Sequence, residues 1–454
     1  MSERKLFGTD GIRGVANVYP MTGEIAMSLG RAVTYYFQKQ SKHTRKPLII
    51  VGKDTRLSCY MIEQAFAAGV CSQGGEVILT SPLPTPGVAF VTQSMRADAG
   101  VMISASHNPY HHNGIKLFDA QGFKLPDEAE LEIEKLVFQP NLMPVKTEDQ
   151  LGNATRLKQV FGRYVVYVKS VLPNSVDLEG MRIVLDCANG AGYKVAPMIL
   201  EELGAEVITH GVTPNGRNIN VDCGSLFPNK ATDLVKTYRA DLGICLDGDA
   251  DRVLIIDKEG TAVDGDKLIG LLAKLMLDKG EIKPGDEVVG TVMSNLGLEN
   301  YVKSLGLKFV RTKVGDRYII EHMRESGSLL GGEPSGHIIY GGHSTTGDGC
   351  LAALKIIEAI RYYDKPLTDL VAEIPLYPQL VQSAAVSKKV PLDTIEPVQK
   401  SIKKAEKKLG EKGRVLIRYS GTESLARVMV EAEDQTLVKS LCDELTQVLE
   451  KSLK

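Results

Sequence analysis

Short apolar, strand-like runs alternate with helix-like segments along most of this chain. That alternation restricts the fold to α/β architectures built on βαβ units and parallel strands. Three rounds are visible. The first has strands over 47–51, 76–79 and 99–103, with a helix over 61–73. The second has strands over 182–185, 206–209 and 242–246, with a helix over 193–203. The third has a helix over 267–277, a strand over 287–292, a helix over 297–305 and a strand over 308–310. The C-terminal stretch differs. A helix over 395–409 precedes two apolar runs, 414–417 and 426–430, and a last helix begins at Gln435. This is a β-loop-β-α unit of α+β type.

A polar stretch at 141–156, a turn at 257–260 and a Pro-marked stretch at 374–378 divide the chain. The expected organisation is three similar α/β domains, 1–156, 157–257 and 258–374, and an α+β domain, 375–454. Functional loops in such sheets lie at the carboxyl ends of strands. The 99–103 and 242–246 runs both pass directly into polar loops.

Lys and Arg number 54 and Asp and Glu 56, for a formal net charge of −2. Such a balance gives no electrostatic reason to expect nucleic acid or an anionic membrane. Seven scattered cysteines without a CxxC argue against a disulfide framework or structural zinc, and suit reduced thiols. The longest uncharged run, 77–95, contains three prolines and does not read as a membrane span. No signal peptide is visible at the N-terminus. A cytoplasmic protein is expected.

Four loops carry the chemistry. The first, Ser104-Ala105-Ser106-His107-Asn108-Pro109, holds two hydroxyls, an imidazole and an amide. Ser106 beside His107 has the residue types of an activated nucleophile, with a Ser-capped Asn-Pro turn as the alternative. Lys116, shortly after, offers charge to a phosphate. The second, Asp247-Gly248-Asp249-Ala250-Asp251-Arg252, spaces three carboxylates that repel unless a cation compensates them. Oxygen-only ligands favour a hard ion such as Mg²⁺. An EF-hand is excluded, because Arg252 stands where its loop needs Gly and Lys258 where it needs Glu. In the third, Glu333, Ser335 and His337 alternate. In extended chain they share one face, suited to sugar hydroxyls and a proton exchange. The fourth, Arg418-Tyr419-Ser420-Gly421-Thr422-Glu423, with Arg427 beyond it, has the composition of a phosphate cradle. Residues 347–352 match a GxGxxA spacing without a strand directly before them, which reads as a helix start and not a dinucleotide site. No P-loop occurs. A nucleophile, a hard-metal site, a sugar-facing loop and a phosphate cradle, one per domain, suit phosphoryl transfer on a phosphorylated sugar.

These four motifs, in this order and across the whole chain, resemble the signatures of the α-D-phosphohexomutases. Leu6-Phe7-Gly8-Thr9-Asp10-Gly11-Ile12-Arg13-Gly14 is most similar to the bacterial amino-sugar branch of that family. The resemblance implies four domains around a central cleft. It implies that Ser106 is a phosphoserine whose phosphorylation activity requires. One Mg²⁺ per active site would be held by Ser106, Asp247, Asp249 and Asp251. Arg13, Lys116 and His337 are implied in charge stabilisation and proton transfer. Glu333 and Ser335 are implied as sugar contacts. Arg418, Ser420, Gly421, Thr422 and Arg427 are implied as the distal phosphate site, and Arg252, Lys313 and Arg317 as further substrate contacts. The implied reaction interconverts glucosamine 6-phosphate and glucosamine 1-phosphate through a sugar 1,6-bisphosphate, feeding amino-sugar and cell-wall synthesis. The partners are then small molecules, with a homodimer left open. A hexose-phosphate mutase is the alternative, since Pro334 stands where Gln or Asn is more usual; a non-catalytic sugar-phosphate binder is another.

Overall fold

The computed structural model describes residues 4–8, 10–40, 45–157, 159–419 and 425–453. Among these, four sheets follow one another along the chain. The first has six strands, in the order Ile12–Val15, His112–Asp119, Ala99–Ile103, Leu48–Lys53, Glu76–Thr80 and Ala154–Leu157. Its Leu48–Lys53 strand pairs in parallel with both neighbours, and Ala99–Ile103 pairs antiparallel with His112–Asp119. The second sheet centres on Arg182–Asp186, parallel to Glu206–His210 and to Leu242–Leu246. The third centres on Glu287–Thr291, parallel to Lys308–Thr312 and to Leu330–Gly332. The fourth is a three-stranded antiparallel sheet of Gln379–Ala385, Leu425–Ala432 and Gly413–Tyr419.

The alternation of apolar runs therefore folds as expected, with each sheet more mixed than the runs alone imply. The added strands are antiparallel returns. Ala99–Ile103 returns as His112–Asp119, Leu242–Leu246 as Val253–Asp257, and Leu330–Gly332 as Ile338–Tyr340. Gly413–Tyr419 and Leu425–Ala432 make a fourth such pair. Every candidate loop thus joins a strand to its own antiparallel neighbour. Ladder hydrogen bonds fix both ends of such a loop. The polar stretch 141–156 is also more than a linker, because Ala154–Leu157 forms the edge strand beside Glu76–Thr80. Residues 347–352 do start a helix, Gly349–Tyr363, whose Asp348 side chain caps the Leu351 N–H.

One apolar core runs through the first three sheets, from Ile50 and Phe118 through Leu185 and Leu246 to Leu272 and Ile357. A second core, including Leu29, Phe66, Val101 and Ile133, fills the other face of the first sheet. The fourth sheet has its own core. Val438, Leu441, Cys442, Leu445, Leu449 and Leu453 form one stripe of the final helix, facing Ala426, Val428 and Val430. The C-terminal unit therefore has a core of its own. Among the described residues no helix is long and apolar enough to cross a membrane.

Candidate active site

The loop after Ala99–Ile103 is held from below. Ser104 Oγ donates to Asp54 Oδ2 at 2.6 Å, and Ser106 N donates to Ser104 Oγ at 2.9 Å. Ser106 has φ +52°, a left-handed conformation that costs energy in a residue with a side chain. Its Oγ donates to Asp247 Oδ2 at 2.5 Å, across from the first sheet's loop to the second's. His107 Nδ1 lies 3.3 Å from the same Oγ. Burial and the nearby Arg252 and Arg13 push the His107 ring down to about 4, so it is neutral near pH 7.

Asp247, Asp249 and Asp251 are buried, and one carboxylate oxygen of each lies within 4.8 Å of the others. Thr85 Oγ1 and Lys116 Nζ donate to Asp249 Oδ2 at 2.7 and 3.0 Å, and Lys116 reaches Asp251 Oδ2 at 3.2 Å. Asp249 Oδ1 and Asp251 Oδ1 are buried without a hydrogen-bond partner. Buried carboxylate oxygens left in this state are costly. Three clustered carboxylates with two unpartnered oxygens and no sulfur or imidazole donor fit a hard divalent cation such as Mg²⁺. Burial, with Asp251 and Asp249 adding to it, pushes the Asp247 carboxyl well above its usual range. Burial also works against charge on Lys116, but Asp10, Asp249 and Asp251 outweigh it and hold the ammonium charged. Gly248 permits this approach of loops, since a Cβ there would lie 2.4 Å from the Ser106 carbonyl oxygen.

The third loop corrects the expectation of an extended run. It is a tight turn, in which Glu333 N donates to His337 O at 2.9 Å and Gly336 N to Glu333 O at 3.0 Å. Alternation therefore does not place Glu333, Ser335 and His337 on one face. Glu333 and His337 line one pocket, while Ser335 lines its neighbour with Pro334. Gly347 N donates to His337 Nε2 at 3.1 Å, and Asp316 Oδ2 lies 3.4 Å from that nitrogen. Burial opposes charge on His337, but Asp251, Asp316 and Glu333 outweigh it and raise its proton affinity.

These groups converge on a pocket of about 400 Å³. Its wall includes Asp10 and Arg13 near the N-terminus, Ser106 and Lys124 from the first domain, Asp251 and Arg252 from the second, and Asp316, Glu333 and His337 from the third. Asp10 is its charge hub. Arg13 and Lys124 donate to it, and Lys116 lies at 3.4 Å. Lys124 also donates to Asp316 at 2.5 Å, tying the first domain to the third. Asp10, Lys124 and Asp316 have no role in the four sequence motifs. Asp10 stands inside the Gly8-to-Gly14 motif, three residues before Arg13, but nothing in the chain pairs Lys124 with a partner 192 positions away.

Some expected site residues are not brought to this pocket. Lys116 lies beneath it, with the aspartates. Arg317 is engaged elsewhere: its guanidinium pairs with Glu130 at 2.7 Å and with Asp127, both from the helix Asp127–Phe138. Those carboxylates leave it little to offer a substrate. Lys313 is exposed, over the Tyr318 ring at 5.6 Å. Arg418 and Arg427 are cross-strand neighbours on the fourth sheet and do not line the pocket. Ser420, Gly421 and Thr422 lie outside the described residues.

The fold and this pocket define a phosphohexomutase. The chain belongs to the phosphoglucomutase/phosphomannomutase family, matching its alpha/beta/alpha domain I over residues 4–142, domain II over 163–260, domain III over 264–377 and C-terminal domain over 380–448. Within that family it is similar to phosphoglucosamine mutases. It is 52% identical to the phosphoglucosamine mutase of Syntrophotalea carbinolica, over 99% of this chain and 98% of that one. It is 50% identical to the phosphoglucosamine mutase of Nitratidesulfovibrio vulgaris (strain DSM 19637 / Miyazaki F), over 99% and 100%. Solved structures share the fold. One is a phosphoglucomutase/phosphomannomutase family protein from Burkholderia thailandensis, with TM-score 0.81, 22% identity and coverage of 98% and 97%. Another is Aspergillus fumigatus N-acetylphosphoglucosamine mutase in complex with GlcNAc-6P and magnesium, with TM-score 0.70, 18% identity and coverage of 100% and 96%.

Proposed function

We propose that this chain interconverts glucosamine 6-phosphate and glucosamine 1-phosphate, with a phosphoryl group carried on Ser106. One observation carries the reading: Ser106 Oγ meets Asp247 at 2.5 Å, at the edge of a carboxylate cluster with two unpartnered oxygens, on the wall of a pocket that also holds Arg13, Lys124 and Arg252.

Asp247, Asp249 and Asp251, with an oxygen of the Ser106 phosphate, would hold Mg²⁺. The ion, when bound, offsets charge on the phosphoryl group as it moves. The chain's own groups do the rest. Phosphorylated Ser106 presents its phosphorus to a sugar hydroxyl. His337, on the pocket wall, accepts the hydroxyl proton at Nε2, which gives up its hydrogen bond from Gly347 N to do so. The P–O bond to Ser106 breaks as the bond to the sugar oxygen forms, giving the 1,6-bisphosphate. Arg13, Lys124 and Arg252 surround the group with positive charge, and Lys116 supports it from beneath. Lys116 is a poor proton acceptor here, because three carboxylates hold it charged. The bisphosphate turns end for end, and Ser106 takes back the other phosphate. The distal phosphate is held by Arg418, Ser420, Gly421, Thr422 and Arg427 once the fourth domain closes over the pocket. Glu333 and Ser335 contact the sugar, Lys313 adds charge at the rim, and Arg317 acts at most through its carboxylate partners. The enzyme's partners in this reading are the hexosamine phosphate and the bisphosphate, and its place is the cytoplasm.

Amino-sugar preference is supported by the relatives' name. It is also supported by Glu333, a carboxylate on the pocket wall that suits a protonated amine. Pro334 supports the rival reading, a hexose-phosphate mutase, because it lacks the side-chain amide donor of the more usual Gln or Asn. Rates with glucosamine, glucose and mannose phosphates, under Mg²⁺ and trace bisphosphate, separate the two. A higher kcat/KM for glucosamine 6-phosphate is expected. A glucose or mannose preference would replace the amino-sugar reading, and no turnover would replace both.

A further inference from the structure

We infer that Arg56 and Asn220 are positioning residues that hold the Ser106 loop in its transfer geometry from two domains at once. The inference rests on Ser106 being the residue that carries the phosphoryl group. Arg56 follows the strand Leu48–Lys53 and is fully buried. A guanidinium has five N–H donors in a rigid fork, and here every one is committed. Nε donates to Asp54 Oδ2 at 2.8 Å. One terminal nitrogen donates to the Pro109 and His112 carbonyls. The other donates to the Ser106 and Asn108 carbonyls, each at 2.8 Å. Its one ionic partner, Asp54, is also the acceptor for Ser104 Oγ. A buried charge is costly unless fully paired, and this one is paired almost wholly by loop backbone.

The same two carbonyls have a second donor. Asn220, also buried and on a loop of the second domain, donates from Nδ2 to Ser106 O at 2.9 Å and to Asn108 O at 3.2 Å. The second domain also supplies Asp247, which receives the Ser106 hydroxyl. Arg56 ties the loop to the first sheet, and Asn220 ties it to the domain that holds the aspartates. Between them they maintain the left-handed Ser106 backbone, and with it the distance from Oγ to Asp247. Neither side chain lines the pocket. Their loss therefore acts on transfer and leaves sugar binding alone. A misplacement of about 1 Å at a reacting centre costs roughly 100-fold in rate.

The test uses the full chain with Ser106 phosphorylated, and Asn220→Ala, Arg56→Lys and the double variant. Asn220→Ala should lower kcat about 10-fold and Arg56→Lys about 100-fold, with KM within about 2-fold of the parent. The double variant should lose less than the product of the two, because both side chains hold the same carbonyls. If Arg56→Lys does not fold, Asn220→Ala alone decides. An unchanged kcat, or a raised KM at constant kcat, in Asn220→Ala overturns the inference while the parent still turns over. A parent that carries no phosphate on Ser106 and gives no turnover overturns the functional reading, and the inference with it.

Discussion

Ser106 Oγ donates a hydrogen bond to Asp247 Oδ2 at 2.5 Å, and the two residues leave different sheets. Each sits on a loop that ends a buried parallel strand and returns antiparallel. The contact joins a nucleophile to an acid cluster. A phosphate on Ser106 would bring its negative charge against Asp247, with Asp249 and Asp251 close behind, and that arrangement needs a cation.

Metal dependence follows. Removing divalent ions with a chelator should reduce turnover by at least about 100-fold, and Mg²⁺ should restore it. Asp249→Asn should weaken that restoration, raising the Mg²⁺ concentration for half-maximal rate. A chelated, metal-free protein with full turnover would contradict the role given to the three aspartates.

Lys124 should prove both structural and functional. Its side chain is 6% exposed and serves Asp10 and Asp316 together. Lys124→Met leaves two facing carboxylates without their shared ammonium. Asp10 keeps Arg13 and Lys116 and Asp316 keeps His337, so the loss of these charged hydrogen bonds costs about 1.5–3 kcal/mol. Denaturant unfolding should report a loss of that order, and kcat/KM should fall with it. Unaltered stability would show that the domains meet without this link.

Asp266 gives the fold a pH dependence of known sign. Burial, reinforced by Asp264 and Glu431, raises its carboxyl to about 7 from an ordinary value of 3.8. Its Oδ1 is buried without a partner. The folded state thus favours the protonated form. Asp266 contributes stability that is fully present below about pH 4 and is lost as pH rises through about 7. Asp266→Asn should flatten the stability profile across that window. It should also be more stable than the parent above pH 7, by on the order of 2–4 kcal/mol. Parallel profiles for parent and variant would contradict the assignment.

Gly347 should tolerate no side chain. A Cβ there would lie 2.5 Å from His337 Cε1 and Nε2 and 2.7 Å from the Asp251 carbonyl oxygen. Gly347→Ala should displace the imidazole and lower kcat by roughly 10- to 100-fold. Retained kcat would remove His337 from the proton-transfer step.

Much of this architecture is legible in the sequence, for a physical reason. Strands Ala99–Ile103 and Leu242–Leu246 are buried at every position. Their runs are therefore continuously apolar and end abruptly at polar loops, so their bounds can be read directly. The return strand His112–Asp119 hides. Its Asn113, Gly114 and Lys116 break the apolar run that marks a buried strand, yet all three are buried. Their polar groups are satisfied by Ser58, Cys59, Asp249 and Asp251, which are distant in the chain. Spacing misleads at Glu333, Ser335 and His337, where Gly336 at φ +83° closes a turn that period-two reasoning takes as extended. The pairs that tie domains together, Lys124 with Asp316 and Arg317 with Glu130, leave no local pattern. Arg317 therefore reads as a free cation in the sequence and is a committed one in the fold.

The central claim is that Ser106 carries the group the sugar receives. The most direct measurement loads the protein with sugar 1,6-bisphosphate labelled in its phosphates, locates the label by peptide mass, and chases with unlabelled glucosamine 6-phosphate. The account predicts label on Ser106 alone, its transfer into sugar bisphosphate in the chase, and no loading of Ser106→Ala. Label on another residue, or label on Ser106 that glucosamine 6-phosphate does not remove, would contradict it.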